Sequence, residues 1–421
     1  MPNAQPIAHS ADPIRDRYIT LDAVRGFAVM AILAMNIVDF AMPQVAYMSP
    51  AAYGGKTGLN LVSWVLSSLF IDGKMRGLFS VLFGASMMLV INRATAKGEN
   101  GAKVHFARMI SLLFIGLVHF FLIWDGDILV SYAAIGCLAY LFHGWTPRKL
   151  IRTAIILYIL ATLLLTVGIG LGLSQQIAAQ APGADAALVR EYEEEMRSSP
   201  FRAEAVAKEI KVHRGGYTDI VAHKWNDSKF DPLNGVVLGL LETLPMMLIG
   251  MAMMKNGFLT GAMTDAYYRS IAWQTIPVSL AMTIIIIGAE WQSGFDGQVM
   301  INGLLAWTAF PRLAMTIGYA ALLVLFIRRY DGSRIVARLA ATGQCAFTNY
   351  LGTSIIMTTI FYGYGLGLYG HIERAALWPF VISAWVVILL WSKPWLARFR
   401  YGPLEWLWRS IARGRLQPMR R

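Results

Sequence analysis

The chain has 421 residues, of which 56% are hydrophobic and 15% are charged, and its formal net charge is +12. A mean hydropathy of +0.51 excludes an ordinary soluble globular protein, because charged residues make up about a quarter of such chains. In a soluble protein the basic balance would suggest nucleic acid. Here the basic residues fall between apolar segments, so we expect anionic membrane lipids as their partner and no nucleic acid.

Apolar segments in chain order predict an all-α polytopic membrane protein with about ten transmembrane helices. A helix needs about 20 mostly apolar residues to cross the hydrocarbon core, and only the fourth segment is clearly short. The segment Leu59–Ile71 is too short to span, so we expect it to be interfacial or re-entrant on the outer side. The predicted spans are Val24–Met42, Lys74–Ile91, Ala107–Trp124, Ile128–Phe142, Leu150–Leu173, Gly235–Met254, Ile271–Ala289, Asn302–Ile327, Ala346–Tyr364 and Ala375–Trp391.

Charge in the connections predicts the orientation. The connections after the third and seventh spans carry Asp125 and Asp127, or Glu290 and Asp296, with almost no Lys or Arg. By the positive-inside rule both termini are therefore cytoplasmic. The basic residues that support this orientation are Arg15, Arg17, Arg93, Lys97, Lys103, Arg108, Arg148, Lys149, Arg152, Arg328, Arg329, Arg334, Arg338 and those of the C-terminal tail.

The predicted spans divide the chain into four parts. Residues 1–174 form an N-terminal five-helix membrane part, 175–233 an extracytoplasmic polar insertion, 234–392 a C-terminal five-helix membrane part, and 393–421 a cytoplasmic tail. The insertion has too few apolar residues for a core of its own, so we expect one or two short helices that cap the outer face. The tail mixes arginine with tryptophan, which is typical of an interfacial helix. The two cysteines, Cys137 and Cys345, predict neither a disulfide framework nor a metal site.

Several ionisable side chains are predicted to lie within the outer half of the membrane. At 1.5 Å per residue, His119 lies about 9 Å below Asp125, and Glu242 about 10 Å below the outer end of its helix. Charged groups are costly at this depth, so we expect them to face a shared, outward-open cavity with compensating positive charge. The outer set is Asn36, Asp39, His119, Asp125, Asp127 and Glu242, with Lys74, Arg76 or Arg312 as the compensating cations.

A second polar set is predicted on the inner side. Asp22 and Arg25 begin the first helix, Asn349 begins the ninth, and Arg334 and Arg338 precede it. Together they offer hydrogen-bond donors and positive charge to a phosphorylated cytosolic ligand.

Each polar group also has a structural interpretation. His119 would then be a hydrogen-bonding group between helices, and the Asp22–Arg25 pair would stabilise a helix N-terminus. Asp127 is well placed to be an N-cap. For Glu242 we favour a functional role, because no neighbour in its own helix can pair with it.

Seven sequence strings resemble the YeiB-type family of bacterial inner-membrane proteins. They cover the chain from end to end apart from the insertion. The family in turn resembles transmembrane acyltransferases. The opening motif of those enzymes is similar to this sequence at Arg17, Leu21, Asp22, Arg25, Gly26 and Asn36. The strings are RYITLDAVRGFAVMAILAMNI from Arg17, VAYMSPAAYG from Val45, LFSVLFGAS from Leu78, IGLVHFFLIWDGDIL from Ile115, TGQCAFTNYLGTS from Thr342, GYGLGLYG from Gly363 and YGPLEWLWR from Tyr401.

This resemblance implies an enzyme that moves an acyl group from cytosolic acyl-CoA, its co-substrate, to an extracytoplasmic acceptor. His119 would be the general base, oriented by Asp125 or Asp127, and Asn36 would donate to the oxyanion. In the related heparan-glucosamine acetyltransferase the essential histidine lies in the outer connection after the first helix, and residues Met42–Asn60 here contain no histidine. Arg25, Arg334 and Arg338 would contact the CoA phosphates.

Two other interpretations stay open. Charged groups at several depths also suit a transporter or exporter of a small charged or amphipathic solute, and a lipid-binding membrane protein without catalysis is the third. All three place the chain in a bacterial inner membrane as a multi-pass protein. The expected partners are membrane lipids and an outer acceptor whose chemistry the sequence leaves open; a homodimer is allowed.

Overall fold

The computed structural model describes residues 13–421 except Ser198; the side chains of residues 13–18, with Arg15 and Arg17, lie outside the described residues. Within this part of the chain the regular structure is helical, with short 3-10 segments and one π-helical turn. The helices are α1 Pro13–Ala41, α2 Gln44–Met48, α3 Gly58–Phe70, α4 Lys74–Ala96, α5 Gly101–Leu122, α6 Leu129–Ala139, α7 Pro147–Ala179, α8 Ala186–Met196, α9 Ala203–His213, α10 Tyr217–Asn226, α11 Asp231–Lys255, α12 Asp265–Gln292, α13 Gly297–Asn302, α14 Ala309–Arg329, α15 Arg334–Gln344, α16 Ala346–Phe361, α17 Trp378–Arg398 and α18 Pro403–Arg413.

The structure is that of an all-α polytopic membrane protein, as predicted. Among the described residues, eight helical segments are long and apolar enough to cross a membrane, the pair α3–α4 counting as one. The other two predicted spans correspond to shorter helices, Leu129–Phe142 and Ala346–Phe361. We call the two ends of the bundle outer and inner according to the charge pattern of the connections.

The predicted eighth span, Asn302–Ile327, differs from the structure. A π-helical turn, Gly303–Trp307, separates α13 from α14, so the long helix begins only at Ala309. The carboxylate of Glu290 on α12 packs against this turn. A Cβ at position 303 would lie 2.0 Å from a Glu290 oxygen, so a larger residue there would displace that carboxylate. Such π-helical turns occur frequently at functional sites.

Glycines set the spacing of the central helices. A Cβ on Gly84 of α4 would lie 2.1 Å from the carbonyl oxygen of Met247, and one on Gly250 of α11 would lie 1.8 Å from that of Val81. Small residues of this kind allow two helix backbones to approach closely in a membrane. Helices α4 and α11 therefore form the centre of the bundle. Helices α7 and α12 lie at its edge, because only 17% and 22% of the residues in their most apolar 18-residue stretches are buried.

The outer insertion forms three helices, α8, α9 and α10, and the prediction of one or two was too low. It is tied to the outer ends of the membrane helices by backbone and side-chain contacts. The Tyr217 hydroxyl donates to the carbonyl of Leu122, and Glu209 accepts from the backbone N–H of Gln44 and from the Tyr369 hydroxyl. The insertion therefore covers the outer ends of α1 and α5.

Candidate functional site

The centre of the candidate site is Glu242, whose carboxylate lies between two guanidinium groups. Oε2 accepts a 2.8 Å hydrogen bond from Arg76 of α4, and Oε1 lies 3.6 Å from Nε of Arg312 on α14. Both Glu242 Oε1 and Arg312 Nε are buried without a hydrogen-bond partner. The Arg312 side chain is only 5% exposed, so its charge is compensated mainly by this carboxylate.

The sequence places Arg312 here through a tight turn. Gly73, between α3 and α4, has φ +70°, and a Cβ there would lie 2.1 Å from Cδ of Arg312. The turn therefore has room for the Arg312 side chain only because residue 73 is glycine. Arg76 follows three residues later in the first turn of α4, which brings both guanidinium groups to one place.

A cavity of about 260 Å³ opens beside these three charges. Helices α4, α6, α7, α11 and α14 contribute to it, and Arg76, Glu242 and Arg312 form its charged side. The rest of the lining is largely apolar and includes Ala161, Leu165, Leu238 and Leu241. The cavity is near the lower end of the range of small-molecule sites, about 300–1,000 Å³.

His119 is bound to Asp127, which lines this cavity, whereas His119 itself is absent from the lining. Nδ1 of His119 lies 2.7 Å from Oδ1 of Asp127, and each of the two side chains is 1% exposed. Asp127 also accepts a hydrogen bond from the backbone N–H of Val130, so it caps α6 and lines the cavity as well. Nε2 of His119 is buried without a hydrogen-bond partner. The arrangement matches a base held by an orienting carboxylate.

A smaller cavity, of about 40 Å³, adjoins the same two arginines. It is lined by Asp72 and Lys74 from the α3–α4 turn and by Glu290 of α12, in addition to Arg76 and Arg312. Lys74 donates to the carbonyl of Ser68. Carboxylates and cations thus line both cavities together, which satisfies the need for compensation at this depth.

Asp39 belongs to a different group of charges. It lies on the outer end of α1 beneath the insertion, where Lys224 of α10 interacts electrostatically with both Asp39 and Asp125. Burial lowers the pKa of Lys224, and the two carboxylates act against that shift. Burial also opposes ionisation of Asp125, yet Lys224 and His213 hold its pKa below the usual range. Asp39 is absent from the lining of the 260 Å³ cavity.

Asn36 and the inner residues have mainly structural contacts. Within the described residues no hydrogen bond joins Asn36 to His119. Arg25 pairs with Asp22 at 2.8 Å and donates to Ser86 at 2.7 Å. The amide of Asn349 contacts Thr342, Ser392 and Trp391, Arg338 donates to the carbonyl of Leu389, and Arg334 is exposed.

Four residues that line the two cavities or accompany Asp39 were not predicted as site residues. Tyr132 and Tyr158 line the cavity, and their hydroxyls contact Ser80 and the carbonyl of Ala309. Glu290 was placed in a loop because the predicted helix ended at Ala289, whereas α12 continues to Gln292. Lys224 lies in a polar stretch typical of a solvated surface, and no pattern in that stretch indicates its burial.

The fold and this site define a class, that of polytopic helical membrane proteins with a charged cavity in the outer half of the bundle. The chain belongs to the YeiB family. It is 32% identical to the uncharacterized protein YeiB of Escherichia coli K12, over 94% of this chain and 96% of that protein. It is 30% identical to the uncharacterized protein YxaH of Bacillus subtilis 168, over 96% of each chain.

A family model points the same way. Residues 253–415 match the model described as "Protein of unknown function (DUF418)". An uncharacterized 39.9 kDa protein encoded in the amylase 3′ region of Bacillus acidopullulyticus is 25% identical over 97% of this chain and 98% of its own length. No solved structure matches the chain.

Proposed function

We propose that the chain is a transmembrane acyltransferase that moves an acyl group from cytosolic acyl-CoA to an acceptor on the outer side of a bacterial inner membrane. The observation that carries the proposal is the His119–Asp127 pair, with Nδ1 bound at 2.7 Å and Nε2 left without a partner. The bacterial origin of the relatives supports the membrane, and the motifs shared with acyltransferases support the reaction class.

In the proposed reaction, Nε2 of His119 removes a proton from an acceptor hydroxyl or amine. The acceptor atom then forms a bond to the acyl carbonyl carbon, the carbon–sulfur bond of the thioester breaks, and the proton passes to the departing CoA thiolate. Asp127 would keep the imidazole in the tautomer with its proton on Nδ1 and stabilise the imidazolium that forms. Asn36 would donate to the oxyanion that forms.

For the CoA phosphates, the structure favours some of the inner arginines over others. Arg334 is exposed, and Arg338, one helical turn further along α15, donates one hydrogen bond to the Leu389 carbonyl. A guanidinium has five N–H donors, so both retain donors for phosphate oxygens. Arg25 already has Asp22 and Ser86 as partners, and Asn349 is buried with three partners, so we assign the phosphate contacts to Arg334 and Arg338.

The experiment is a CoA-release assay on the purified protein in proteoliposomes with radiolabelled acetyl-CoA and a membrane extract as the source of acceptor. We expect thiol release and transfer of label with the wild-type protein, and loss of both in His119→Ala and Asp127→Asn. His371→Ala, in an exposed outer loop, is the matched control and should retain activity. Retention of thiol release by His119→Ala, or none by the wild type, would contradict the proposal.

Solute transport is the second candidate, and one observation favours it. The carboxylates Glu242 and Glu290 and the cations Arg76, Arg312 and Lys74 adjoin two cavities, and such chains of ionisable groups mark ion pathways in membranes. A transporter would acidify or alkalinise the interior of proteoliposomes when solute is added, without consuming acyl-CoA. The same vesicles therefore distinguish the two functions.

A further inference from the structure

The 260 Å³ cavity combines a wall rich in hydrogen-bond donors with an apolar wall at the edge of the bundle. We propose that it binds the anionic headgroup and adjoining acyl carbons of an amphipathic lipid, with the acid held by Arg76 and Arg312. The shared ligand chemistry is an acid on an acyl chain, either the carboxylate of a free fatty acid or the phosphate of a phospholipid. This inference holds whether or not the chain transfers acyl groups.

The charged wall of the cavity has an excess of hydrogen-bond donors. Arg76 donates to Glu242, and Arg312 donates to the carbonyl of Leu305 at 3.4 Å. Each guanidinium has five N–H donors, and each uses one of them in these contacts. The second carboxylate that lines the cavity, Asp127, is bound instead by His119 and the backbone N–H of Val130. Arg312 is only 4% exposed and its Nε has no hydrogen-bond partner. A carboxylate or phosphate is the group that a pair of guanidiniums binds best.

The apolar wall of the cavity lies at the lipid-facing surface of the bundle. Helix α7 supplies Ala161 and Leu165. Only 17% of the residues in its most apolar 18-residue stretch are buried. On α11, the neighbouring Leu238 lines the cavity and is 54% exposed. Exposed apolar side chains on a membrane helix face lipid, so the cavity lies beside the acyl chains of the bilayer. A ligand can therefore enter sideways, with its chain left between α7 and α11.

The volume of the cavity limits how much of a lipid can enter it. The cavity volume of about 260 Å³ lies just below the range of about 300–1,000 Å³ that is typical of sites for whole drug-sized ligands. This accommodates an acid group with the first few carbons of a chain, and it excludes a complete diacyl lipid. The remainder of the chain would lie between α7 and α11, along Leu165 and the exposed Leu238.

The experiment is native mass spectrometry of the delipidated full-length protein in dodecyl maltoside, without acyl-CoA. The probes are palmitate, phosphatidylglycerol and hexadecanol, the last as an uncharged chain. Arg312→Gln removes a guanidinium, and Thr162→Trp fills the cavity from α7 without changing charge. Leu164→Trp, on the same helix but 63% exposed and outside the cavity lining, is the matched control.

We expect palmitate or phosphatidylglycerol to bind to the wild type and to Leu164→Trp, and to bind at least about tenfold more weakly to both other variants, since losing one charge-assisted contact corresponds to roughly that factor. Tighter binding of palmitate would identify a free fatty acid, and tighter binding of phosphatidylglycerol a phospholipid. Equal binding of hexadecanol, unchanged binding to Arg312→Gln and Thr162→Trp, or no binding of either acid would overturn the proposal.

Discussion

Gly84 of α4 and Gly250 of α11 occupy matched positions, each eight residues inward of one member of the Arg76–Glu242 ion pair. Eight residues correspond to about 12 Å along a helix. Both helices run inward from this ion pair, and each glycine gives room to a backbone carbonyl of the other helix. The approach of the two backbones at the glycines therefore sets the distance across which Arg76 reaches Glu242.

Replacing Gly84 by Ala should push α4 away from α11 and weaken the ion pair. The added methyl carbon would lie 2.1 Å from a backbone oxygen, and overpacking of this kind costs about 1–3 kcal/mol. We expect a lower melting temperature, measured by the fluorescence of the purified protein in detergent. Gly168→Ala is the control, because no atom lies within 4 Å of its added carbon; equal melting temperatures in the two variants would contradict the prediction.

Glu242→Gln should have opposite effects on stability and on binding of an anion. Removing the carboxylate leaves the buried Arg312 guanidinium without its counter-charge, which should cost about 1–3 kcal/mol. The same change makes the cavity more positive, so palmitate should bind more tightly than to the wild type, whereas Arg312→Gln should bind it more weakly. Melting curves and titration with palmitate measure both effects, and weaker palmitate binding by Glu242→Gln would show that the arginines do not attract the acid.

Lys224→Met should release the outer insertion from the bundle. Lys224 is 1% exposed, and its loss would leave the half-buried carboxylates of Asp39 and Asp125 without this cation, which should cost about 1–3 kcal/mol. We expect faster protease cleavage within the insertion and a lower melting temperature.

Lys208→Met tests the same insertion at its surface. Lys208 and Asp227 are 2.8 Å apart, but their side chains are 65% and 45% exposed, so the pair should contribute less than about 1 kcal/mol. If both lysine variants are cleaved at the wild-type rate, the buried lysine does not hold the insertion in place.

Glu405→Gln should loosen the C-terminal tail. The Glu405 carboxylate accepts hydrogen bonds from the backbone N–H groups of Phe347 and Thr348, at 2.6 and 3.1 Å, and from the Thr348 hydroxyl. It thus satisfies the N-terminus of α16, and an amide in its place cannot accept all three bonds. We expect a loss of about 1–3 kcal/mol and faster hydrogen exchange in α18. Glu99→Gln, at an exposed position, should leave both unchanged.

The fold could be predicted from sequence because length and hydropathy determine which segments can lie in lipid. The energetic argument also placed Glu242 near Arg76 or Arg312, since a carboxylate at that depth needs a partner. Lys224 could not be found in this way, because its burial depends on three helices of the insertion docking onto α1 and α5. The separation of Asp39 from Glu242 depends on helix packing, which depth along each helix does not specify.

The roles assigned to the site residues remain predictions. Tyr132 and Tyr158 were missed for a physical reason, because a tyrosine in a membrane helix fits lipid interface, core and cavity equally well. Only the neighbouring helices decide which of these surroundings it has. Glu290 shows the sensitivity of such predictions to helix ends, since one further residue in α12 moves its carboxylate from a loop to the cavity.

Helix α1 packs mainly against α15 and α16, which lie near the opposite end of the chain. In its most apolar 18-residue stretch, 83% of the residues are buried. The ribosome adds about 5–20 residues per second, so roughly 15–60 s pass between synthesis of α1 and of its partners. During that time the Asp22–Arg25 pair and Asp39 have none of their C-terminal neighbours. Helix α1 therefore leaves the ribosome long before its packing partners, and the insertion machinery or lipid surrounds it until α15 and α16 have been made.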